Sequence, residues 1–279
     1  MKRRFTAAAT VLLLVFGCSV PPPPDRPLNP SFPVTTAQAI AVLADCAAHP
    51  RPLRRPLLIV GGFADPGLGS RMLVQRFRAA TGDERIAAAS LGFDQSWAEC
   101  RRHIIEAADA AFPTTDPDRT TEVDVIGASM GGLAARYAAL PPGPGDRPHR
   151  RLRIARLFTI SSPLRGAVLA DAIPVNLHPL QGGMRTGSWL YQRIAAEPPG
   201  FDDVYAVYSY VRLADDQVGQ ANAALPGRTA WWVSAPPWPW PTHHASFLDR
   251  RILADIARRL RGEPPLSHDP PAPFPPRSR

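Results

Sequence analysis

The stretch "VDVIGASMGGLAARY" (residues 123–137) joins a β-branched apolar run to an alanine-rich run through a short segment of small residues. The first run is typical of a buried strand, and the second is typical of a helix. Between them Gly127–Gly131 reads Gly-Ala-Ser-Met-Gly, with Ser129 at its centre. A serine on a tight strand-to-helix turn adopts strained backbone geometry, and its neighbours must be small. The stretch therefore predicts a strand, a sharp turn and a helix that present Ser129 as a nucleophile.

Apolar runs alternate with amphipathic helical patterns on both sides of this stretch. Such alternation is typical of α/β proteins, in which helices cover both faces of a mostly parallel, doubly wound sheet. Residues 164–203 show no clear period, and we expect a lid or a substrate-capping segment there. The further strands are predicted at residues 56–63, 85–92, 154–162, 204–211 and 229–236.

Motifs spread from residue 56 to residue 256 carry a family resemblance. In chain order they are "LLIVGGF", "VDVIGASMGGLAARY", "LFTISSPLRGAVLAD", "ADDQV" and "HHASFLDRRI". In these motifs the chain resembles bacterial lipases and esterases of the α/β-hydrolase superfamily, which implies an α/β-hydrolase fold. Two positions depart from the family pattern. Ala128 stands where histidine usually precedes the serine, and Gly61-Gly62 stands where His-Gly usually follows the first strand.

The resemblance also implies an acidic residue downstream of Ser129, in the order serine, acid, histidine. The family places this acid in a turn after a strand, commonly with valine or isoleucine three residues later. Asp215, followed by Val218, matches that spacing. Asp216 lies one residue further along and stays the alternative. The sequence favours Asp215 as the acid.

A histidine must activate the serine, because a serine hydroxyl is a poor nucleophile until a base takes its proton. The family places it between the last strand and the closing helix, where this chain has His243 and His244. Two large apolar residues often follow it at the third and fourth positions. From His244 these are Phe247 and Leu248, so the sequence favours His244 over His243. Adjacent histidines rarely bind one ion together, and no metal site is predicted.

The family resemblance further implies two backbone donors for the oxyanion that forms during acyl transfer. One is the N–H of Met130, which directly follows the nucleophile. The other is the N–H of Phe63, in the loop after the first strand. The chemistry of such a site requires no cofactor.

The N-terminus has the features of an export signal. Lys2, Arg3 and Arg4 precede a short apolar run that ends at Gly17, and this run is too short to span a bilayer comfortably. Residues 15–18, "VFGC", resemble a bacterial lipobox, which implies a signal peptide at 1–17 and lipidation of Cys18. The proline-rich segment 18–34 is predicted to be a stiff tether. We expect an exported protein, either anchored to a membrane as a lipoprotein or secreted.

The remaining sequence predicts one α/β domain at residues 35–261 and a disordered, proline-rich tail at 262–279. The chain has a formal net charge of +8, but its arginines form no aromatic-interleaved basic patch. Nucleic-acid binding is therefore not expected. Cys46 and Cys100 form either a disulfide or two buried thiols. No sequence feature indicates an oligomeric state.

These observations predict a serine hydrolase that cleaves carboxylic esters, including lipid esters, with the acyl chain in an apolar pocket. Trp238 and Trp240, in a proline-rich loop, are candidates for lining that pocket or contacting a lipid surface. An acyltransferase or a thioesterase would carry the same three residues. A non-catalytic, lipid-binding lipoprotein on the same scaffold is the alternative from another class.

Overall fold

Six parallel strands form one sheet in a computed structural model that describes residues 29–143, 146–197, 205–235 and 242–275. The strands are β1 (Leu57–Val60), β2 (Ile86–Ala89), β3 (Val123–Ala128), β4 (Ile154–Ile160), β5 (Ala206–Arg212) and β6 (Trp231–Val233). Their order in the sheet is β2-β1-β3-β4-β5-β6. Because β3 lies in the middle of the sheet, the turn that follows it is supported by strands on both sides.

Helices cover both faces of the sheet. In β1, Leu57 and Ile59 pack against the helices on one face, whereas Leu58 and Val60 pack against the helices on the other. Successive strand side chains point to opposite faces, so a strand buried on both sides is continuously apolar. The helices are α1 (Thr36–Ala48), α2 (Leu68–Thr81), α3 (Trp97–Ala111), α4 (Met130–Ala139), α5 (Val168–Ala172), α6 (Trp189–Ala195), α7 (Thr242–Ser246) and α8 (Arg250–Leu260), with 3-10 helices at Gln181–Met184 and Gln220–Ala223.

The parallel sheet, its strand order and the helix that leaves β3 directly give the chain an α/β-hydrolase fold. The carboxyl ends of the strands share one edge of the sheet. At this edge the turns after β1 and β5 lie close to the turn after β3, because β1 is adjacent to β3 and β5 is two strands away from it. Ligand sites in open α/β sheets form at this edge.

The predicted domain limits, residues 35–261, are too narrow at both ends. Phe32 is buried in the core, and the Asn29 side chain donates to the Trp232 carbonyl at 2.8 Å. In the predicted tail, the His268 N–H donates to the Ser31 carbonyl at 2.7 Å, and its carbonyl accepts from the Trp231 indole at 3.1 Å. The sequence pattern missed this packing because it covers the edge strand β6 with irregular chain rather than with a helix or strand.

The two cysteines of the folded domain are free and buried. Cys46 lies on the face of the sheet covered by α1, α2 and α8, and Cys100 lies on the face covered by α3 and α4. The sheet separates them, so of the two alternatives the structure has the buried thiols. Cys18 and the rest of the predicted signal and tether up to residue 28 lie outside the described residues. Among the described residues, no helix has both the length and the apolar character of a transmembrane span.

Candidate active site

Ser129 lies on the turn between β3 and α4 with φ 50° and ψ −128°. A non-glycine residue in this region is strained by about 1–3 kcal/mol, so the surrounding structure must hold it there. The glycines on either side of Ser129, Gly127 and Gly131, lie so close to neighbouring backbone that no side chain would fit there. A Cβ on Gly131 would lie 2.3 Å from the Val60 carbonyl oxygen, and a Cβ on Gly127 would lie 2.3 Å from the Gly132 Cα. Close packing against β1 therefore fixes the serine in its strained conformation.

His243 connects Ser129 to Asp215. Its Nε2 lies 2.9 Å from the Ser129 hydroxyl oxygen, and its Nδ1 lies 3.0 Å and 3.1 Å from the two carboxylate oxygens of Asp215. The carboxylate can only accept hydrogen bonds, so Nδ1 carries the proton and Nε2 accepts from the serine. His243 and Asp215 are both buried, with 2% and 7% of their surfaces exposed. This arrangement can take a proton from the serine hydroxyl.

The structure corrects the predicted histidine. His244 is exposed, and its Nδ1 accepts a long hydrogen bond of 3.4 Å from the Gln217 side chain. It makes no hydrogen bond with Ser129 or Asp215 among those found in the described residues. His244, which the sequence favoured, is therefore a neighbour of the serine–histidine–aspartate arrangement, and His243 is its member.

The helical phase of α7 explains this correction. Within α7, His243 shares its inward face with Ser246, three residues later, and Phe247 directly follows the helix. Ser246 is fully buried and bonds the Ser161 hydroxyl at 2.9 Å, and the Phe247 ring packs edge-on against His243 at 5.2 Å. Leu248, on which the choice of His244 relied, is 39% exposed. The pattern requires a large apolar residue three positions after the histidine, whereas the residue three positions after His243 is the buried Ser246.

Asp215, which the sequence favoured over Asp216, lies beside the imidazole of His243. Its Oδ1 accepts hydrogen bonds from the N–H groups of Gln217 at 3.1 Å and Val218 at 2.9 Å. Burial raises the pKa of the Asp215 carboxyl, but the hydrogen bond and charge of His243 and the Val218 N–H outweigh it and hold the pKa below its usual value. Asp216 is exposed and accepts instead from the Thr242 hydroxyl at 3.3 Å. The carboxylate that can orient the imidazole is thus Asp215, and its lowered pKa favours the ionised form.

The residues that carry the two predicted oxyanion donors are the neighbour of Ser129 in sequence, Met130, and a residue that lines the same pocket, Phe63. Met130 is the first residue of α4, so its N–H belongs to the unpaired start of that helix. Phe63 follows Gly62, and a Cβ on Gly62 would lie 3.1 Å from the Ser129 Cβ. Neither N–H donates a hydrogen bond among those found in the described residues. Both groups are therefore available to a substrate oxygen.

Asp65 holds the loop that carries Phe63, and sequence reasoning missed this residue. Its Oδ1 accepts from the N–H groups of Gly67 and Gly69, both at 3.0 Å, and its Oδ2 accepts from that of Ser70 at 2.9 Å. These three N–H groups lie at the start of α2, where helices leave them unpaired. The signal was an aspartate shortly before a helix, a residue type common at such positions.

The predicted capping insert lines a pocket of about 190 Å³ above Ser129 and His243. Ala167, Leu169, Ile173 and Met184 give this pocket apolar walls, and all four lie between residues 164 and 203. The His178 ring of the insert packs edge-on against Phe63 at 4.9 Å, which connects the insert to the loop after β1. Residues 198–203 of the insert, and Trp238 and Trp240, lie outside the described residues.

Comparisons with known proteins give structural neighbours at low similarity. No protein-family model matches the chain, and no curated protein is similar to it in sequence. Phospholipase PlaB from Legionella pneumophila aligns with a TM-score of 0.44 and 13% identity over 61% of this chain and 44% of that one. The lin2722 product of Listeria innocua aligns with a TM-score of 0.39 and 15% identity over 73% of this chain and 80% of that one. The chain spans less than half the length of the phospholipase, and the fold assignment rests on the sheet and the turn at Ser129.

Proposed function

We propose that this protein is a serine hydrolase that cleaves carboxylic esters through an acyl-enzyme. One observation carries the proposal: His243 lies within hydrogen-bond distance of both the strained, partly exposed Ser129 and the buried carboxylate of Asp215. A nucleophile bonded to a base that is oriented by a third group is the signature of covalent catalysis. A structural role would explain neither the strain at Ser129 nor its position at the base of an apolar pocket.

The geometry supports the following sequence of steps. The Ser129 oxygen attacks the ester carbonyl carbon while His243 Nε2 takes the hydroxyl proton. The carbonyl oxygen becomes an oxyanion, which the Met130 and Phe63 N–H groups stabilise. When the intermediate collapses, the C–O bond breaks and His243 returns its proton to the departing alcohol. Water then attacks the acyl-enzyme with His243 again as the base, which releases the acid and restores Ser129.

The pocket supports substrates with an apolar acyl group. Its walls are largely apolar, with His178, Gln181 and Gln217 as the polar groups besides the reacting residues. Placing the acyl chain against Leu169 and Ile173 would remove apolar surface from water, worth roughly 25 cal/mol per Å². Lipid esters and small esters with an alkyl chain fit this description, whereas charged acyl groups do not.

Labelling with a fluorophosphonate probe tests the proposal. Wild-type protein should be labelled at Ser129, and Ser129→Ala should not react. A p-nitrophenyl ester panel from acetate to palmitate then gives the acyl-length preference. Failure of folded wild-type protein to react with the probe would contradict the assignment of a nucleophile. Predominant transfer to an added alcohol, rather than release of the free acid, would replace hydrolysis by acyl transfer.

We further propose that the protein is exported and that Cys18 is lipidated. The basic residues and apolar run before "VFGC" support this, together with the proline-rich segment that follows. Metabolic labelling with an alkyne fatty acid in a bacterial host should mark wild-type protein and spare Cys18→Ala. Equal labelling of both proteins would exclude Cys18 as the acceptor.

A further inference from the structure

A second apolar groove lies between α1, α2 and α8, on the outside of the helical layer. Its volume is about 330 Å³, and it shares no lining residue with the pocket above Ser129. Phe77, Ala80 and Leu253 form a buried apolar base, and Leu43 lines it from α1. Ile40, at the rim, is 48% exposed. The helices thus leave an open apolar channel that they do not fill themselves.

Two arginines line this apolar groove, Arg76 from α2 and Arg250 from the start of α8. Within the described residues neither guanidinium has an ion-pair or hydrogen-bond partner, and the Arg76 Nε is buried without one. Burial and the neighbouring charge of Arg250 lower the pKa of Arg76. Two unpaired like charges beside apolar surface are energetically unfavourable, so an anion bound between the two guanidinium groups would stabilise the groove.

The acidic residues of the three helices do not pair with Arg76 or Arg250. The segment that forms α2 contains none. Asp45 of α1 bonds His49, and Asp255 of α8 bonds Tyr210 and Arg259. The other arginines nearby differ from Arg76 and Arg250, since Arg251 is bonded to Asp249 at the start of the same helix. As far as the described part of the chain shows, no carboxylate neutralises Arg76 and Arg250, and their positive charge is open to a ligand from outside.

We propose that this groove binds a fatty acid, with its carboxylate between Arg76 and Arg250 and its alkyl chain along Leu43, Phe77 and Leu253. Guanidinium groups bind carboxylates with paired hydrogen bonds, and the alkyl chain covers apolar surface that a simple anion would leave wet. A volume near the lower end of small-molecule sites suits one chain rather than the two of a phospholipid. The site is independent of Ser129, so it holds whether or not the protein hydrolyses esters.

Isothermal titration with dodecanoate below its micelle concentration tests this site. Wild-type protein should bind dodecanoate at the groove, and Arg76→Gln/Arg250→Gln should weaken binding at this site by about tenfold or more, because charge-assisted hydrogen bonds are lost. Ala44→Trp, which fills the groove from α1 without changing its charge, should weaken it similarly. Circular dichroism checks that each variant is folded.

Matched controls distinguish binding in the groove from binding elsewhere on the protein. Arg54→Gln/Arg102→Gln removes two arginines from other surfaces and should leave the dissociation constant within about twofold. Met184→Trp, which narrows the Ser129 pocket, should do the same. The proposal is overturned if butyrate or phosphate binds as tightly as dodecanoate. It is equally overturned if the protein binds anionic vesicles but not dodecanoate. It is also overturned if Met184→Trp alone removes binding, or if the groove instead mediates a dimer that the double arginine variant dissociates.

Discussion

The side chains of Ser129 and His243 lie within hydrogen-bond distance of each other. The turns that carry them hold these two side chains in place through different interactions. At Ser129, backbone packing leaves a single conformation, because a Cβ on Gly127, Gly131 or Gly132 would collide with neighbouring atoms at 2.3 Å. At His243, side chains decide the outcome, through the inward face of α7 and the carboxylate of Asp215. The first turn is set by steric exclusion, and the second is set by helical phase and hydrogen bonds.

This difference predicts how each turn responds to substitution. A change at the serine turn should destabilise the fold, since the strain there is held by packing. A change at the histidine turn should leave the fold intact and remove the reaction, since only a few hydrogen bonds are lost. The following experiments test that contrast, from the largest expected effect to the smallest.

Asp215→Asn should give the largest effect. Loss of the carboxylate that holds the Nδ1 proton of His243 leaves the ring in the wrong tautomer, which in a serine–histidine–aspartate site costs about 10⁴ in kcat. Asp216→Asn, a matched change one residue away, should cost less than about threefold, because Asp216 contacts Thr242 rather than the imidazole. Ester hydrolysis by both variants measures this. Equal losses would show that Asp215 has no special role.

Gly131→Ala should destabilise the protein by at least about 2 kcal/mol, because the new Cβ would lie 2.3 Å from one backbone oxygen and 2.6 Å from the next. Gly143→Ala is the control, since its Cβ would meet only the Asp146 carboxylate at 3.4 Å. Urea denaturation of the two variants gives the free energies of unfolding. A Gly131→Ala protein as stable as Gly143→Ala would contradict the steric account of the serine turn.

Asp65→Ala should lower kcat by roughly tenfold and leave KM nearly unchanged, because a displaced Phe63 N–H stabilises only the transition state less well. Asp116→Ala removes a comparable cap from a surface turn, where Asp116 accepts from the N–H groups of Asp118 and Arg119. Steady-state kinetics of the two folded variants measures the difference. Only Asp65→Ala should lower kcat, and equal kcat values for the two would remove Asp65 from the oxyanion loop's support.

The pH dependence of stability gives the smallest effect. The pKa of Asp215 is held below its usual value, so this carboxylate stabilises the fold above the unfolded aspartate pKa of about 3.9. That stabilisation is lost as pH falls through the lower folded pKa. The difference in free energy of unfolding between wild type and Asp215→Asn should therefore shrink as pH falls from about 5 to below the unfolded aspartate value of about 3.9. A constant difference over this range would contradict the lowered pKa.

The same contrast explains how far the sequence predicts this molecule. Gly-x-Ser-x-Gly between a β-branched run and an alanine-rich run predicts one local structure, a strand, a sharp turn and a helix. The structure has these three elements there. The choice of Asp215 over Asp216 followed from the family resemblance, through the spacing to Val218. His243 was missed because the choice depended on where α7 begins, and the buried Ser246 was not recognised as an inward residue. The packing of residues 29–34 and 262–275 was missed because irregular, proline-rich chain carries no periodic signal.

Side-by-side hydrolysis of a p-nitrophenyl ester by His243→Ala and His244→Ala tests the central claim most directly. Loss of the base should lower kcat/KM by at least about 10³ in His243→Ala. His244→Ala loses only the long bond to Gln217 and should retain activity within about threefold of wild type. The reverse order, with His244→Ala inactive and His243→Ala active, would contradict the assignment of Ser129, His243 and Asp215 as the reacting group.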